Sequence, residues 1–423
     1  MTAAPPPHSV RRRRWYSVLG PGLVTGAADD DPSGIGTYSQ VGAQFGYALP
    51  WTLLFSFPLM AAIQEICARI GAGTGRGIAR NLKQHYPRPL LRIVVLLLLV
   101  ANVFNLGADL GAMGAALGLI VPGPALPATI AFGLISILLE VFVSYERYAA
   151  VLKWATLSLF SYFAVVLLAE VDWWAAVRGM LIPEFRFDKD HVMALVAVLG
   201  TTISPYLFFW QSAQEVEEQH RRHVKPLMVS PRKAGPELRR IRVDTLVGMG
   251  FSNLTAIVIV IATAATLHRS GITQIDSAVE AATALRPLAG ELAFALFALG
   301  IVSTGLLAVP ILAGSAAYAV AEMFGWREGL AQRPREAKAF YAVIALATLA
   351  GVAMNFLAIN PMKALYWSAV LNGLLAPPLM VVTMLIARNP KVMGKLTISR
   401  GLAFWGWTST AVMAGVAGLF LLS

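Results

Sequence analysis

The sequence predicts an all-α integral membrane protein that crosses the bilayer eleven times. Of the 423 residues, 57% are hydrophobic and only 13% are charged, whereas about a quarter of the residues in soluble domains are charged. Stretches without Asp, Glu, Lys or Arg recur along the chain, and many reach the roughly 20 residues that a helix needs to cross a hydrocarbon layer. The predicted spans 1 to 11 are residues 17–46, 50–72, 91–120, 125–144, 149–170, 191–218, 243–267, 287–323, 338–357, 362–387 and 400–422.

The distribution of basic residues predicts how the chain is oriented. Cytoplasmic loops carry an excess of Lys and Arg, and an N-terminus placed inside puts 28 of the 34 basic residues on the inner side and 6 on the outer side. We therefore expect a cytoplasmic N-terminus and an external C-terminus, in a cell inner membrane. The net charge of +11 is then an orientation signal, so the lipid bilayer is an expected partner and nucleic acid is not. No obligate protein partner is expected.

Two spans contain sequences that cannot remain regular helices. Span 1 reads Asp29-Asp30-Asp31-Pro32, and span 6 reads Thr202-Ile203-Ser204-Pro205. A proline inside a helix removes a backbone hydrogen bond and clashes with the preceding turn. The two breaks lie five spans apart in helices of opposite direction, a pattern typical of transporters with inverted repeats. The alternative interpretation is that each proline only kinks a packed helix.

The positions of the breaks predict the domain organisation. In transporters with inverted repeats, the discontinuous helices meet near the bilayer midplane and form the ion site there. The predicted parts are a cytoplasmic N-terminal arm (1–16), a first inverted repeat (17–170), an extracellular loop (171–190), a second inverted repeat (191–387), and span 11 with the C-terminus (388–423).

Apart from basic residues near span ends, which are counted with the loops, the charged residues singled out inside the spans are all acidic. Charge within a bilayer is costly and marks functional sites. No Lys or Arg is predicted opposite these acids, so a cation from outside the chain is the expected counter-charge. No nucleophile with a neighbouring base is visible, so we expect neither an enzyme nor a cofactor. The acids are Asp29, Asp30 and Asp31 in span 1, Glu65 in span 2, Asp109 in span 3, and Glu215, Glu217 and Glu218 at the inner end of span 6.

The sequence around the first break resembles the NRAMP family of divalent-metal transporters. That family has an Asp-Pro-Gly-Asn break in span 1, and the similarity runs over nearly the whole plan of eleven spans. The resemblance implies a leucine-transporter-type fold, alternating access and a central metal site. The segments that carry it are Gly20-Pro21-Gly22, Asp31-Pro32-Ser33-Gly34, Gly42-Ala43-Gln44-Phe45-Gly46-Tyr47, Gln64, Thr74-Gly75-Arg76 and His85-Tyr86-Pro87.

The resemblance also implies individual site residues. Asp31 falls on the family's metal-binding aspartate, and Ala28 and Thr201 fall on positions that offer a backbone carbonyl. Other positions depart from the family pattern, and these departures bear on the choice of ion and on proton coupling. Gly34 stands where the family has an asparagine, Ser204 where it has a metal-binding methionine, and Tyr206 and Gln211 where it has two histidines of span 6.

These departures predict a change of substrate. A thioether selects softer transition metals, whereas carboxylate, carbonyl and water oxygens suit Mg²⁺, Ca²⁺ and Mn²⁺. A wider, all-oxygen site suits Mg²⁺, which gives up its waters reluctantly, so the chain looks like the NRAMP-related magnesium transporters. We predict import of Mg²⁺, with Mn²⁺ as a second ion, and no obligatory proton cotransport. The alternatives are a proton-coupled Mn²⁺/Fe²⁺ carrier, a Na⁺-coupled organic-solute symporter on the same fold, and a membrane protein that transports nothing.

Several polar residues near the breaks have two candidate roles. The hydroxyls of Thr202 and Ser204 either bind the metal or its water shell, or bond to the preceding helical turn. Asp29 and Asp30 either attract cations in a water-filled vestibule or accept bonds from unpaired backbone N–H groups. The predicted metal site comprises Asp31, Ala28, Gly34, Thr201, Thr202 and Ser204, and the residues predicted along the ion pathway or around the site are Asp29, Asp30, Asp109, Tyr206, Gln211, Glu215 and Asn372.

Overall fold

The computed structural model describes residues 20–143, 159–357 and 359–422, which form helices and no β-strand. Inner and outer refer below to the predicted orientation. The described α-helices are α1 (Pro21–Asp29), α2 (Pro32–Phe45), α3 (Pro50–Thr74), α4 (Ile78–His85), α5 (Arg88–Leu117), α6 (Ala125–Phe142), α7 (Phe160–Leu168), α8 (Trp173–Leu181), α9 (Lys189–Thr202), α10 (Pro205–Arg221), α11 (Ala234–Thr263), α12 (Ala278–Thr283), α13 (Arg286–Ala289), α14 (Ala293–Phe324), α15 (Lys338–Met354), α16 (Pro361–Arg388), α17 (Pro390–Met393) and α18 (Arg400–Leu422).

Nine helical segments of the described residues are long and apolar enough to cross a membrane. They coincide with predicted spans 2, 3, 4 and 6 to 11. Span 1 consists of the two short helices α1 and α2, as its proline and glycines predict. Span 5 is described only from α7 onward, because most of its predicted first half, 149–158, lies outside the described residues. The total of eleven spans therefore stays a prediction.

Two elements differ from the sequence-based expectation. The sequence predicts that span 7 begins at residue 243, but α11 begins at Ala234. The first turns of this helix carry basic residues, so the helix continues beyond the apolar layer. The predicted extracellular loop 171–190 contains the short helix α8, where the side chain of Asp172 accepts a hydrogen bond from the Ala175 N–H at 2.9 Å. An aspartate at this position satisfies one of the free N–H groups of the first turn.

Large apolar side chains cover the outside of the helix bundle. Phe142 is 78% exposed and Leu167 is 81% exposed, an arrangement that water disfavours and lipid tails favour. Trp173 and Trp174 at the start of α8 are also exposed, and tryptophan prefers the headgroup region of a bilayer. The fold is therefore that of a multi-pass membrane protein.

Glycines allow the broken spans to pack closely against unbroken ones. A Cβ atom on Gly26 of α1 would lie 2.2 Å from the backbone oxygen of Gly248 in span 7. A Cβ atom on Gly200 of α9 would lie 2.0 Å from the backbone oxygen of Ala369 in span 10. Small residues at such positions let membrane helices approach backbone to backbone. The inner half of span 1 is thus held against span 7, and the outer half of span 6 against span 10.

Candidate metal site

The break in span 1 places an aspartate at the beginning of a helix. α1 ends at Asp29 and α2 begins at Pro32, so Asp31 is the N-cap residue of α2. Its Oδ1 atom accepts a hydrogen bond from the Gly34 N–H at 2.6 Å. Pro32 suits the first helical position because it has no N–H to satisfy there. The local sequence therefore fixes the Asp31 carboxylate at the positive end of the α2 dipole.

The break in span 6 lies directly against the break in span 1. α9 ends at Thr202 and α10 begins at Pro205. The Tyr206 hydroxyl donates a hydrogen bond to the backbone oxygen of Ala28 at 2.9 Å and lies 3.4 Å from Oδ2 of Asp31. The last carbonyls of a helix lack partners within that helix, so Tyr206 satisfies one that α1 leaves free.

Three donors converge on the Asp31 carboxylate. Besides Gly34 and Tyr206, the Nδ2 atom of Asn105 in span 3 donates to Oδ2 of Asp31 at 3.0 Å. Asp31 is only 2% exposed, and it forms no ion pair with any described residue. Hydrogen bonds to a carboxylate orient it and favour its charged form, so the residues around Asp31 hold a fixed negative group with no protein cation beside it.

Span 3 contributes a second carboxylate to the same place. Oδ1 of Asp109 accepts a hydrogen bond from the Ser33 N–H at 3.1 Å, while its Oδ2 atom is buried without a hydrogen-bond partner. Asp31 and Asp109 therefore satisfy neighbouring N–H groups in the first turn of α2. The structure brings Asp109 to the predicted site, one helix turn from Asn105 along span 3.

Asp29 and Asp30 contact a residue that neither predicted role included. The Ser252 hydroxyl in span 7 lies 2.7 Å from Oδ2 of Asp29 and 3.1 Å from Oδ1 of Asp30. Both aspartates are buried, so neither faces an open vestibule here. Neither side chain accepts a backbone N–H among the described residues. The expectation is corrected accordingly: the Ser252 hydroxyl of span 7 contacts both carboxylates, and its one hydrogen is donated to one of them at a time.

The hydroxyls of span 6 bond to their own helix. Ser204 Oγ donates to the backbone oxygens of Gly200 at 3.0 Å and Thr201 at 2.8 Å. Thr202 Oγ1 donates to Val198 at 2.9 Å. These are the bonds to the preceding turn that the sequence left open as one alternative. The Thr201 carbonyl consequently already accepts one bond.

Gly34 and Asn372 differ in how near they lie to the central carboxylate. A Cβ atom on Gly34 would lie 3.1 Å from the backbone oxygen of Asp29 and 3.3 Å from Oγ1 of Thr201, so Gly34 lies inside the site. Asn372 is buried in span 10, but no hydrogen bond joins it to the site within the described part of the chain. Two residues of span 10 do reach span 1: Oγ of Ser33 donates to the backbone oxygen of Leu365 at 3.1 Å and lies 2.7 Å from Oγ of Ser368.

The inner side of the site is closed by charged residues of spans 6 and 7. Arg240 pairs with Glu215 at 2.6 Å and with Glu237 at 2.7 Å. Asp244 accepts hydrogen bonds from the first N–H groups of span 1, at 2.8 Å from both Gly20 and Gly22. The sequence analysis places Glu215 along an open water path on the inner side. In this structure Glu215 instead pairs with Arg240 and helps to close that side.

Three of the predicted unpaired acids have basic partners, among them Glu218 with Arg221, which corrects the expectation that none would. Glu215 pairs with Arg240 as described, and Glu65 pairs with Arg69 one turn further along α3. Arg69 is counted with the inner loop in the sequence, but its long side chain reaches back along the helix. Long basic side chains at helix ends behave in this way at membrane interfaces. At the meeting point of the two breaks, Asp29, Asp30, Asp31 and Asp109 form no ion pair with a described residue; away from it, Glu140 of span 4 is also buried without a partner in the described part of the chain.

Gln211 lies between the central site and the inner seal. Its Oε1 atom pairs with the Thr25 hydroxyl of α1, and its Nε2 atom is buried without a hydrogen-bond partner. The residue therefore joins the inner halves of the two broken spans. Its amide does not titrate near neutral pH.

A cavity of about 210 Å³ lies on the outer side of span 1. It extends from Gly36, less than one helix turn from Ser33, toward the outer ends of spans 6 and 10. Amide side chains are prominent in its lining, and Gln40 bonds to the loop after span 7 through Thr273 and Gln274, each at 3.2 Å. The cavity thus lies on the predicted outer side, and none of the central carboxylates lines it.

The atoms around Asp31 suit a hard cation surrounded by oxygen. No group of three or more His, Cys, Asp or Glu side chains in the described ranges is arranged to hold a metal. The groups that meet there are carboxylates, backbone carbonyls and hydroxyls, the ligand types that suit Mg²⁺, Ca²⁺ and Mn²⁺. Asn105, Ser252 and Ser368 were not singled out from the sequence. For Asn105 the sequence does hold a signal, since it precedes Asp109 by one turn in a largely apolar span.

Comparisons with known proteins identify related sequences. The family model for Nramp, described as natural resistance-associated macrophage protein-like, matches residues 22–423. The divalent metal cation transporter MntH of Klebsiella pneumoniae is 24% identical over 419 residues, which cover 97% of this chain and 95% of that protein. The protein of the same name from Yersinia pestis is 27% identical over 303 residues, 70% of each chain.

Solved structures share the fold. A manganese transporter of Eremococcus coleocola, crystallised with an aromatic bis-isothiourea compound, superposes with a TM-score of 0.75 at 17% identity and covers 98% of this chain and 87% of that one. The inward-facing structure of Mhp1 superposes with a TM-score of 0.53 at 14% identity, covering 96% and 88%. These likenesses confirm the predicted fold class of a helical transporter with broken spans.

Proposed function

We propose a function for this chain from the premise that it belongs to the Nramp family, whose model matches residues 22–423. The chain is a divalent metal transporter of this family and not an enzyme, and metal ions are its substrates rather than cofactors. What we propose in addition is the ion and the driving force: import of Mg²⁺, and of Mn²⁺ as a second ion, by alternating access without obligatory proton cotransport. We also propose an inner-membrane location with the N-terminus inside.

The observation that carries the proposed ion is the composition of the site around Asp31. Among the described residues no sulfur and no imidazole contacts this carboxylate, whose hydrogen-bond partners are an amide, a backbone N–H and a hydroxyl, and span 6 has the hydroxyl of Ser204 where the resemblance leads one to expect a thioether. Hard oxygen ligands favour Mg²⁺ and Mn²⁺ over softer metals. A site with few protein ligands suits an ion that keeps several waters.

The proposed absence of proton coupling rests on the residues of span 6. Tyr206 and Gln211 occupy the two positions where the resembling family has histidines, and both are bound to span 1, through Ala28 and Thr25. Neither an amide nor a phenol titrates in the range where histidine does. Two positive charges entering a negative cell interior supply a driving force of their own.

Uptake into proteoliposomes tests the proposal. We expect saturable Mg²⁺ uptake by the wild type, weaker Mn²⁺ uptake, no change in internal pH, and loss of uptake in Asp31→Ala. Asp31→Asn is the matched variant, because asparagine keeps an N-cap while it removes the charge. Steady internal acidification with Mg²⁺ uptake would refute the uncoupled mechanism, and full activity of Asp31→Asn would refute the site.

Manganese as the principal ion is a second candidate, and the comparisons favour it specifically. The curated relatives are named divalent metal cation transporters, and the structural neighbour from Eremococcus coleocola is a manganese transporter. The double variant Ser204→Met with Gly34→Asn separates the two. If Mg²⁺ is the substrate, the added thioether and amide shift the preference toward Mn²⁺; if Mn²⁺ already is, the preference stays the same.

A further inference from the structure

We propose that Asn105 is a substrate-binding residue of span 3, whose amide oxygen accepts a hydrogen bond from the water shell of the transported cation or binds the cation itself. This inference rests on the proposed function and names a group for it that the resemblance does not supply. It follows from how the two polar atoms of the Asn105 amide are used. The nitrogen bonds to Asp31, whereas the oxygen has no hydrogen-bond partner among the described residues.

One half of the amide is fully accounted for. Asn105 Nδ2 donates to Oδ2 of Asp31 at 3.0 Å, and since a carboxylate only accepts, the nitrogen must be the atom that faces it. The amide oxygen is the other half. It is buried without a hydrogen-bond partner, on a residue that is only 1% exposed.

A buried acceptor without a donor destabilises the folded protein, so a free amide oxygen at this place indicates that a ligand or its water donates a hydrogen bond to it. The two amide atoms are bonded to one carbon, which puts the free oxygen beside the Asp31 carboxylate. Two further buried oxygens without partners lie on acids of the same site, Oδ2 of Asp109 and Oδ1 of Asp29. These three atoms accept hydrogen bonds and do not donate them when the acids are charged.

A set of acceptors around one carboxylate matches a hydrated cation. The waters of a bound cation point their hydrogens outward, and Mg²⁺ in particular is held through one or two carboxylates with several waters retained. An anion or a neutral donor-poor solute would instead leave these oxygens unsatisfied. The chemical class of the ligand is therefore a small divalent cation with its inner waters.

The position of Asn105 also explains how the site can contain a side-chain amide although residue 34 is a glycine. A Cβ atom on Gly34 would lie 3.1 Å from the Asp29 carbonyl and 3.3 Å from Oγ1 of Thr201, so a larger side chain there would enter the space between the breaks. Span 3 supplies the amide from the opposite side and leaves that space free. A partly hydrated ion needs this room.

A purely positioning role for Asn105 makes a different prediction from a binding role. If Asn105 only holds Asp31 in place, its essential group is the N–H that donates to Asp31. If Asn105 binds the ion or its waters, its essential atom is the amide oxygen. Asn105→Leu removes both atoms, whereas Asn105→Asp removes the donor and keeps an oxygen in place.

Titration calorimetry with MgCl₂ on the purified full-length protein distinguishes the two. We expect Asn105→Leu to weaken Mg²⁺ binding by about tenfold or more and Asn105→Asp to bind at least as tightly as the wild type. Binding by Asn105→Asp that is as weak as that of Asn105→Leu would overturn the inference in favour of positioning. Unchanged binding by Asn105→Leu would overturn it outright.

Asn102 provides the matched control on the same helix. It lies one turn before Asn105, is equally buried and also has an amide oxygen without a partner, but its amide nitrogen donates to the Leu312 backbone oxygen at 2.9 Å and not to Asp31. Asn102→Leu is expected to lower thermal stability while it leaves the Mg²⁺ affinity within about twofold.

Should Asn105→Leu not fold, Asn105→Ser in the same assay replaces it. A wild type that neither binds nor transports Mg²⁺ or Mn²⁺ would refute the proposed function itself, whereas normal wild-type transport with unaffected Asn105 variants would refute only this inference.

Discussion

Asp31 combines two tasks that a single side chain seldom performs in a membrane. Its Oδ1 atom caps α2 through Gly34, and its Oδ2 atom is held by Asn105 and Tyr206. Loss of an N-cap costs about 0.5–2 kcal/mol, so replacement by alanine removes stability as well as charge. Replacement by asparagine separates the two effects.

Tyr206 allows a test of the pH dependence at the scale of one residue. In Tyr206→His the new imidazole would lie beside Ala28 and Asp31, and histidine is the side chain whose charge changes in the physiological pH range. Its protonated form is cationic and opposes binding of a second cation. We expect Mg²⁺ uptake by this variant to fall by about threefold or more as the pH is lowered from 8 to 5.5.

The controls for this experiment are the wild type and Tyr206→Phe, in which no histidine titrates. Their uptake is expected to change little over the same pH range. A wild type whose uptake already falls like that of Tyr206→His would show that another titrating group governs transport.

The residues of the site were predictable to the extent that they lie in the broken segments themselves. Asp31, Gly34 and Thr201 belong to the two breaks, and the structure places all three together. Asn105 and Ser252 reach the site from spans 3 and 7, far away in the chain. Their contacts depend on how the helices are rotated and packed, which the order of residues does not specify.

At the scale of elements, the inner half of span 1 is held by a cap from another helix. The Asp244 side chain accepts hydrogen bonds from the backbone N–H groups of Gly20, Gly22 and, at 3.2 Å, Leu23. Arg240 lies between Asp244 and Glu215 of span 6 and pairs with both. α1 has no side-chain cap of its own. Opening of the inner side therefore requires that Asp244 release the first turn of α1.

This arrangement predicts that Asp244→Asn favours the inward-open state. Its amide accepts through one oxygen and has lost the charge that suits a helix N-terminus. In a Thr25→Cys background, we expect a thiol reagent to react with the new cysteine at least about threefold faster when Asp244→Asn is present. The native Cys67 is the one cysteine of the chain and is buried, so it interferes little.

The matched control for the cap is Asp276→Asn. Asp276 is also a carboxylate with a basic partner, Lys363 at 3.0 Å, but it lies on the outer side. Labelling of Thr25→Cys should be unaffected by this change. Equal labelling rates in Asp244→Asn and the unmodified background would contradict the role of the cap.

The elements themselves were predicted well because composition determines them. Apolar stretches bounded by charges fixed the long helices to within a few residues, and proline with glycine fixed both breaks. The sequence does not predict the extension of α11 to Ala234, because its first turns are polar and leave no apolar stretch, nor the helix α8 in the outer loop, because its nine residues are too few for a span. The inverted repeats of the first and second halves remain a prediction.

At the scale of the whole molecule, the basic surplus surrounds an acidic interior. The chain carries a net charge of +11, yet the four carboxylates at the meeting point of the breaks form no ion pair within the described residues. Basic residues toward the inner ends and acids at the centre create a path that attracts cations and excludes anions.

The proposed uncoupled mechanism predicts a response to membrane potential. Two positive charges crossing 100 mV are worth about 4.6 kcal/mol, which favours accumulation strongly. A potassium diffusion potential, inside negative, should accelerate Mg²⁺ uptake into proteoliposomes, and a proton gradient of equal size without a potential should not. Acceleration by the proton gradient alone would contradict the mechanism.

The most direct test of the central claim is to locate the ion. Crystals of the full chain grown with Mn²⁺, a scatterer that stands in for Mg²⁺, can be examined for an anomalous difference peak. We predict one peak between the two breaks, within one water layer of the Asp31 carboxylate, and its absence in Asp31→Asn. A peak elsewhere in the membrane-spanning region, or an unchanged peak in Asp31→Asn, would contradict the account.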